Sequence, residues 1–323
     1  MMRDRVIYFF NDFLPHYYRI LAIIGVLFDK FMFTFPKFTA NVVAFVTLLR
    51  GRCRLSKVVT SYLVAMAVAD LLVVIFRVIL QRVFGFYYSP ECNVVDTIGY
   101  ISVSCSVWLT VGFTLDRTVA ICFQRLKTRY CTEKGAAIVI AVVSLLSVLT
   151  NIPWYFKYQP YFCVISYWFI TSPVWQQFDW GHGFLTPIVP FVLILLLNAV
   201  TVRHILKASA VRRRLRGQQS GEKKDDPEMK NRKRSIILLF AISTSFVLFW
   251  IVRVFSLAVQ RITGQYVGIP FDYVVVDTIG TMFQLFSSCT NMFIYAITQR
   301  KFREEMINVM KYPFVVIRNV IKS

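Results

Sequence analysis

The chain has 323 residues, 57% hydrophobic and 16% aromatic with 17% charged, and its mean hydropathy of +0.57 is too apolar for a soluble domain of ordinary charge content. Soluble enzymes and soluble nucleic-acid modules are thereby disfavoured, and a multi-span membrane protein is expected. The formal net charge of +20 makes the placement of the basic residues the next question.

Apolar runs long enough to cross a hydrocarbon core of about 30 Å predict spans at 31–49, 58–81, 97–122, 136–156, 184–206, 236–259 and 274–297. The expected fold is all-α, a seven-transmembrane helix bundle. Of the 37 basic residues, segments 50–57, 123–135, 203–235 and 299–323 hold 4, 4, 12 and 6, all on one face of such a bundle. The opposite segments, 1–19, 82–96, 155–182 and 260–273, hold 6 together. The positive-inside rule then makes the carboxyl terminus cytoplasmic and the amino-terminal segment 1–30 extracellular. Arg212-Arg213-Arg214 needs no nucleic acid, since juxtamembrane basic clusters attract anionic lipid.

No cleavable signal pattern opens the chain, so the first span is expected to act as its anchor. Asp29, Lys30, Pro36 and Lys37 interrupt that span, and charges at a membrane centre cost roughly 2.5–3.5 kcal/mol each. Residues 20–28 are therefore placed at the outer surface and Asn41 at mid-span; an altered transcript would produce the same irregularity. The second span contains LVAMAVADLL, in which Asp70 is a lone carboxylate that must face a polar cavity or a partner. The run from Cys92 to Arg117 makes a helix about 37 Å long, without charge between Asp96 and Asp116 and ending in the pair Asp116-Arg117.

The fourth span ends Asn151-Ile152-Pro153-Trp154, and the fifth contains Pro190 and Asn198. The third cytoplasmic loop, 207–235, is charged and turn-rich without apolar periodicity, so irregular structure is expected there. In the sixth span Phe246 and Trp250 share a face, followed by Arg253; in the seventh Ser287 and Asn291 do the same. Segment 299–323 is expected to be an amphipathic eighth helix and tail on the inner leaflet, with Phe302, Met306, Val309 and Met310 opposite Arg300, Lys301, Arg303, Glu304 and Glu305.

From Asn41 to Phe302 the order and spacing of the LxxAxAD run at Asp70, Asp116-Arg117, Pro190, Trp250 and Asn291-Met292-Phe293-Ile294-Tyr295 resemble the rhodopsin-like G-protein-coupled receptors. Departures are Thr118 for the tyrosine of DRY, no central tryptophan in the fourth span, and Asn198 for the tyrosine after the fifth-span proline. Phe249-Trp250-Ile251-Val252 lacks the cysteine and proline of CWxP, and Met292 replaces the proline of NPxxY. LVAMAVADLL, KTRYCTEK and SSCTNMFIYA are similar to the orphan branch related to the brain receptor for aromatic amino acids. The resemblance implies a multi-pass plasma-membrane receptor that carries binding of an extracellular aromatic amino acid or short peptide to a heterotrimeric G protein, mainly of the Gq class.

It also implies residue roles. The family's outer disulfide would fall on Cys92 with Cys163. Asp70, Ser106, Ser287, Ser288 and Asn291 would line a polar cavity able to hold a sodium ion, the one cofactor expected; Ser106 lies about 16 Å outward of Arg117. Pro190, Val107 and Phe246 would form a packing switch, with Trp250 above and Asp116, Arg117 and Tyr295 below. For the ligand, Arg253 would grip a carboxylate, Tyr100, Trp250 and Phe283 would supply aromatic walls, Asp96 or Asp277 would meet an ammonium, and Arg77 is the alternative anchor. Gly99 stands where aminergic receptors carry an aspartate, which excludes an amine held by that salt bridge. Arg232 stands 18 residues before Trp250, where the family often has an acid that clamps the third-span arginine.

Two other classes compete. Enzyme signatures are absent: His16, His182 and His204 form no metal cluster, and Gly181-His182-Gly183 lacks the third glycine of a nucleotide loop. A transporter would show half-to-half repeats with interrupted helices, which the chain does not. A light sensor needs a lysine in the last span, and none lies between Thr278 and Thr298. The irregular first span leaves a divergent, non-signalling receptor isoform as a further alternative.

Overall fold

The computed structural model describes residues 34–51, 53, 55–83, 91–159, 164–216, 227–263 and 271–322. They are nearly all helical; the β structure among them is one antiparallel bridge between Tyr158 and Ile165. The first span is Thr34–Leu49 and the second Lys57–Val73, continued by the π-helical Val74–Val83. The third is Cys92–Cys122, and the fourth Glu133–Asn151, closed by a 3-10 turn at Ile152–Phe156. The fifth runs from Pro173–Gly183 through the π-helical Phe184–Ile188 into Val189–Arg216. The sixth is Pro227–Thr263, the seventh Phe271–Thr298, and a tail helix follows at Arg300–Lys322. Spans two to six are each long and apolar enough to cross a membrane, while the described apolar part of the first, Pro36–Leu49, is shorter.

Local chemistry sets the helix ends. Ser56 Oγ accepts from Val59 N–H at 3.3 Å and Thr132 Oγ1 from Gly135 N–H at 3.1 Å, so the second and fourth spans start on N-caps. Gly51 closes the first at φ 67°, the left-handed conformation that glycine adopts without a Cβ penalty. The third span is central and packs against the second, fourth, fifth and sixth. One core cluster, around Tyr62, Leu63, Met66, Phe113, Tyr295 and Phe302, fills the inner half; another, around Val78, Val107, Ile194, Phe246, Trp250 and Leu285, fills the middle.

The helix of the third span begins at Cys92. Two expectations differ from the structure. The outer loop 157–183 is helical over Tyr167–Thr171 and Pro173–Gly183, and the latter runs straight into the fifth span; Pro173 starts it at the first helical position, where its missing N–H costs nothing. The third cytoplasmic loop is helical at both ends, to Arg216 and from Pro227, because Lys, Ala, Arg and Leu favour helix by intrinsic propensity, which apolar periodicity does not register. The sixth span passes unbroken through Phe249–Val252, where the expected family motif lacks its proline. Asp29 and Lys30 lie outside the described residues; Lys37 is buried within the first helix.

Candidate functional site

An outer cavity of about 210 Å³ opens between the second, third, fifth, sixth and seventh spans. Arg77, Tyr100, Trp250 and Arg253 line it, joined by Trp154, His182, Asp179 and Gln284. The π-helical stretch Val74–Val83 widens the second helix at this height, and Arg77 and Gln81 both turn toward the third span. Tyr100 stacks on Trp154 with ring centroids 4.4 Å apart, and His182 meets both rings edge-on. His182 Nε2 also bonds Asn151 Oδ1 at 2.9 Å, tying the fifth-span entrance to the fourth span.

Asp96 does not open on this cavity. The residue is 2% exposed, and its carboxylate takes Arg77 Nη1 and Gln81 Nε2, each at 2.7 Å, on Oδ1, and Lys157 Nζ at 3.4 Å on Oδ2. A ligand ammonium therefore does not meet it, which corrects that expectation. Burial pushes the Lys157 ammonium down, but Tyr100 and Asp96 outweigh it and hold it above the usual lysine range. Phe283 is also corrected: it is 42% exposed, lies beside Phe249 at 6.3 Å, and is not a wall of the cavity. The Asp277 side chain and Cys163 lie outside the described residues. Cys92 is buried and disulfide-bonded. Non-reducing peptide mapping should recover Cys92 linked to Cys163; two separate thiol-labelled peptides from surface protein would refute that pairing.

Beneath Trp250 is a second cavity, about 20 Å³, lined by Asp70, Ser106, Ser287, Ser288 and Asn291. Asp70 is fully buried; Ser106 Oγ donates to its Oδ1 at 2.6 Å and Asn291 Nδ2 to its Oδ2 at 2.7 Å. Ser245 of the sixth span and Thr110 complete the polar wall. Trp250, Gln284, Leu285 and Val103 line both cavities, so one layer of side chains separates them. Trp250 stacks on Phe246 at 5.2 Å, and Phe246 packs in one buried cluster with Val107 and Ile194, one turn beyond the buried Pro190.

At the inner end Arg117 donates from Nε to Asp116 Oδ2 at 2.9 Å, and both residues are buried. Thr118 meets Thr201 of the fifth span at 3.1 Å between hydroxyls. Ser243 donates to Asn198 Oδ1 at 3.0 Å and so joins the sixth span to the fifth. Tyr295 packs edge-on against Phe302 at 5.5 Å, and its buried hydroxyl has no hydrogen-bond partner among the described residues.

A family model described as "7 transmembrane receptor (rhodopsin family)" matches residues 40–295. The chain belongs to this rhodopsin family of receptors. It is a multi-span membrane receptor and not an enzyme. Relatives include an FMRFamide receptor of Drosophila melanogaster, 22% identical over 81% of this chain and 49% of its own length. A melatonin receptor type 1B-B of Danio rerio is 21% identical over 88% and 80%, and an allatostatin-A receptor of Bombyx mori 24% identical over 78% and 70%. The chain thus spans about half the length of the first of these receptors.

Trp154, His182, Gln81 and Ser243 were not singled out from sequence. Trp154 follows a proline at a span end, a visible signal; His182 joins the site only because Pro173–Gly183 is helical.

Proposed function

We propose that this receptor carries binding of an extracellular aromatic amino acid or short peptide in the outer cavity to a heterotrimeric G protein of the Gq class. Its amino terminus is outside the cell and the Arg117 end of the bundle inside. The observation that carries the reading is the Trp250 layer: one side chain lines the ligand-sized cavity, lines the Asp70 cavity, and stacks on the Phe246 cluster. A ligand pressing on it can favour one packing of the bundle over another, which is how binding shifts a two-state equilibrium. At about 210 Å³ the cavity is below the roughly 300 Å³ at which drug-sized pockets begin, which favours a small molecule or the end of a peptide. Stacked Tyr100 and Trp154 favour an aromatic group, and Arg253 a carboxylate. Two of the relatives are named for peptides and one for melatonin. The test is calcium flux and cyclic AMP against a panel of aromatic amino acids and short peptides, with surface staining in parallel. Full surface display with no response to any member overturns the reading.

The inner cavity is the proposed sodium site. About 20 Å³ holds one water-sized occupant, and Asp70 with the hydroxyls of Ser106, Ser287 and Ser288 and the carbonyl of Asn291 supplies oxygen ligands of the right kind. Asp70→Asn should abolish sodium dependence of agonist affinity; dependence equal to wild type in that variant rules the site out.

Ligand-free signalling is also expected. Asp116 holds Arg117 within its own helix, while the sixth-span position that would clamp it from outside is Arg232. Basal inositol phosphate should exceed that of empty cells and fall to their level in Arg117→Ala; a displayed wild type with no basal signal refutes this.

A further inference from the structure

In the wall between the second and third spans a buried carboxylate and an aromatic ring both meet one guanidinium. Asp96 supplies a buried carboxylate, and Tyr100 supplies a ring whose centroid is 4.0 Å from the Arg77 guanidinium carbon. Trp154 backs that ring in parallel, at 14° between planes. A carboxylate beside an aromatic face is the arrangement that recognises an ammonium or guanidinium. Arg77 occupies it, bonding Asp96 at 2.7 Å.

Arg77 reaches this seat because residue 99 has no side chain. A Cβ on Gly99 would lie 2.8 Å from both Cδ and Nε of Arg77, closer than non-bonded atoms approach. Those atoms belong to a flexible side chain, so the backbone has no need to move; the guanidinium would have to leave its seat. Asp96 would retain Gln81 and Lys157. Arg77 and Tyr100 both line the outer cavity, so the seat adjoins the space a ligand would enter.

We propose that Arg77 is a tethered occupant of a cation-recognition site formed by Asp96, Tyr100 and Gln81, and that Gly99 sets the receptor's ligand charge selectivity by keeping Arg77 there. The inference rests on the reading of the outer cavity as the ligand seat and sharpens it: ligands whose only charge is a cationic head group are excluded at this wall because Arg77 already covers the Tyr100 ring and bonds Asp96 Oδ1, while Lys157 stays on Oδ2 in every variant. A tethered group competes at an effective concentration in the millimolar range, which a free cation at micromolar concentration does not match.

The experiment is direct titration of the purified full chain, without G protein, with two probes that share a phenyl group: phenethylguanidinium and 3-phenylpropionate. Phenethylguanidinium should bind Arg77→Ala at least about tenfold tighter than wild type and raise that variant's thermal midpoint. Gly99→Ala, which keeps every charged residue, should show a smaller gain in the same direction. Adding Asp96→Asn to Arg77→Ala should erase the gain, and 3-phenylpropionate should show no such gain in any variant. Equal phenethylguanidinium affinity in wild type and Arg77→Ala overturns the proposal, as does a gain that survives Asp96→Asn. If Arg77→Ala does not fold, Gly99→Ala carries the decision: no gain there overturns it. Because no signal is read, a failure of the signalling function leaves this result interpretable, and a silent titration leaves the signalling assay intact.

Discussion

Asp96→Ala is expected to destabilise the folded receptor by about 3–5 kcal/mol, the cost of removing one partner from a buried ion pair. The loss would not be local trimming. Arg77 and Lys157, whose side chains are 17% and 14% exposed, would keep their charges, and Arg77 Nη1 and Gln81 Nε2 would lose an acceptor at 2.7 Å. Arginine cannot neutralise itself by giving up a proton, so the like charges remain in a wall packed against Tyr100 and Trp154. The second span, the third span and the segment after the fourth all meet at this carboxylate, so their mutual placement weakens together. The measurement is the thermal midpoint of detergent-solubilised receptor. Adding Arg77→Met to Asp96→Ala should restore part of the loss, because an apolar group of similar length removes the stranded charge, while Lys157 retains Tyr100 Oη at 3.5 Å. A midpoint unchanged in Asp96→Ala, or a double variant no better than the single, contradicts this account.

The same cluster shows what could and could not be read from sequence. Spans two to six follow from hydropathy because an apolar run of bilayer length has few alternatives. Asp70 is conspicuous for the related reason that a lone carboxylate in such a run needs partners, whereas the set Ser106, Ser287, Ser288 and Asn291 comes with the family resemblance, spacing alone placing Ser287 and Asn291 on one face. Arg77 to Asp96 was not legible as a pair. They stand 19 positions apart on different spans, Arg77 lies within the π-helical Val74–Val83, and the bond needs an empty position at Gly99 that sequence spacing marks only as a missing aspartate. Phe283 faces away from the cavity, because an apolar side chain in a span can face either lipid or cavity and its type does not distinguish the two. The outer rim failed for another reason: the helix Pro173–Gly183 is too polar and aromatic to announce itself by periodicity, yet it brings His182 and Asp179 to the cavity.

Arg253→Leu is expected to weaken binding of a carboxylate-bearing agonist by roughly 2–5 kcal/mol, on the order of 30- to 4000-fold in affinity at 1.4 kcal/mol per decade, with surface display retained. Arg253 lies on the cavity wall one turn outward of Trp250, and leucine fills similar volume without the planar fork of donors that matches a carboxylate. The backbone at this point is fixed from the opposite side. A Cβ built on Gly280 of the seventh span would lie 3.1 Å from Arg253 Cα, so the two helices approach as closely as a glycine allows and the side chain is presented from a rigid position. That separates two kinds of damage. Arg253→Leu should change affinity for an acid and leave its amide analogue nearly unaffected, whereas Gly280→Val should disturb both by forcing the helices apart. Radioligand competition with the acid and its amide on intact cells reads the difference. Wild-type potency for the acid in Arg253→Leu would remove the carboxylate role from Arg253 and leave Arg77 as the anchor to be tested next.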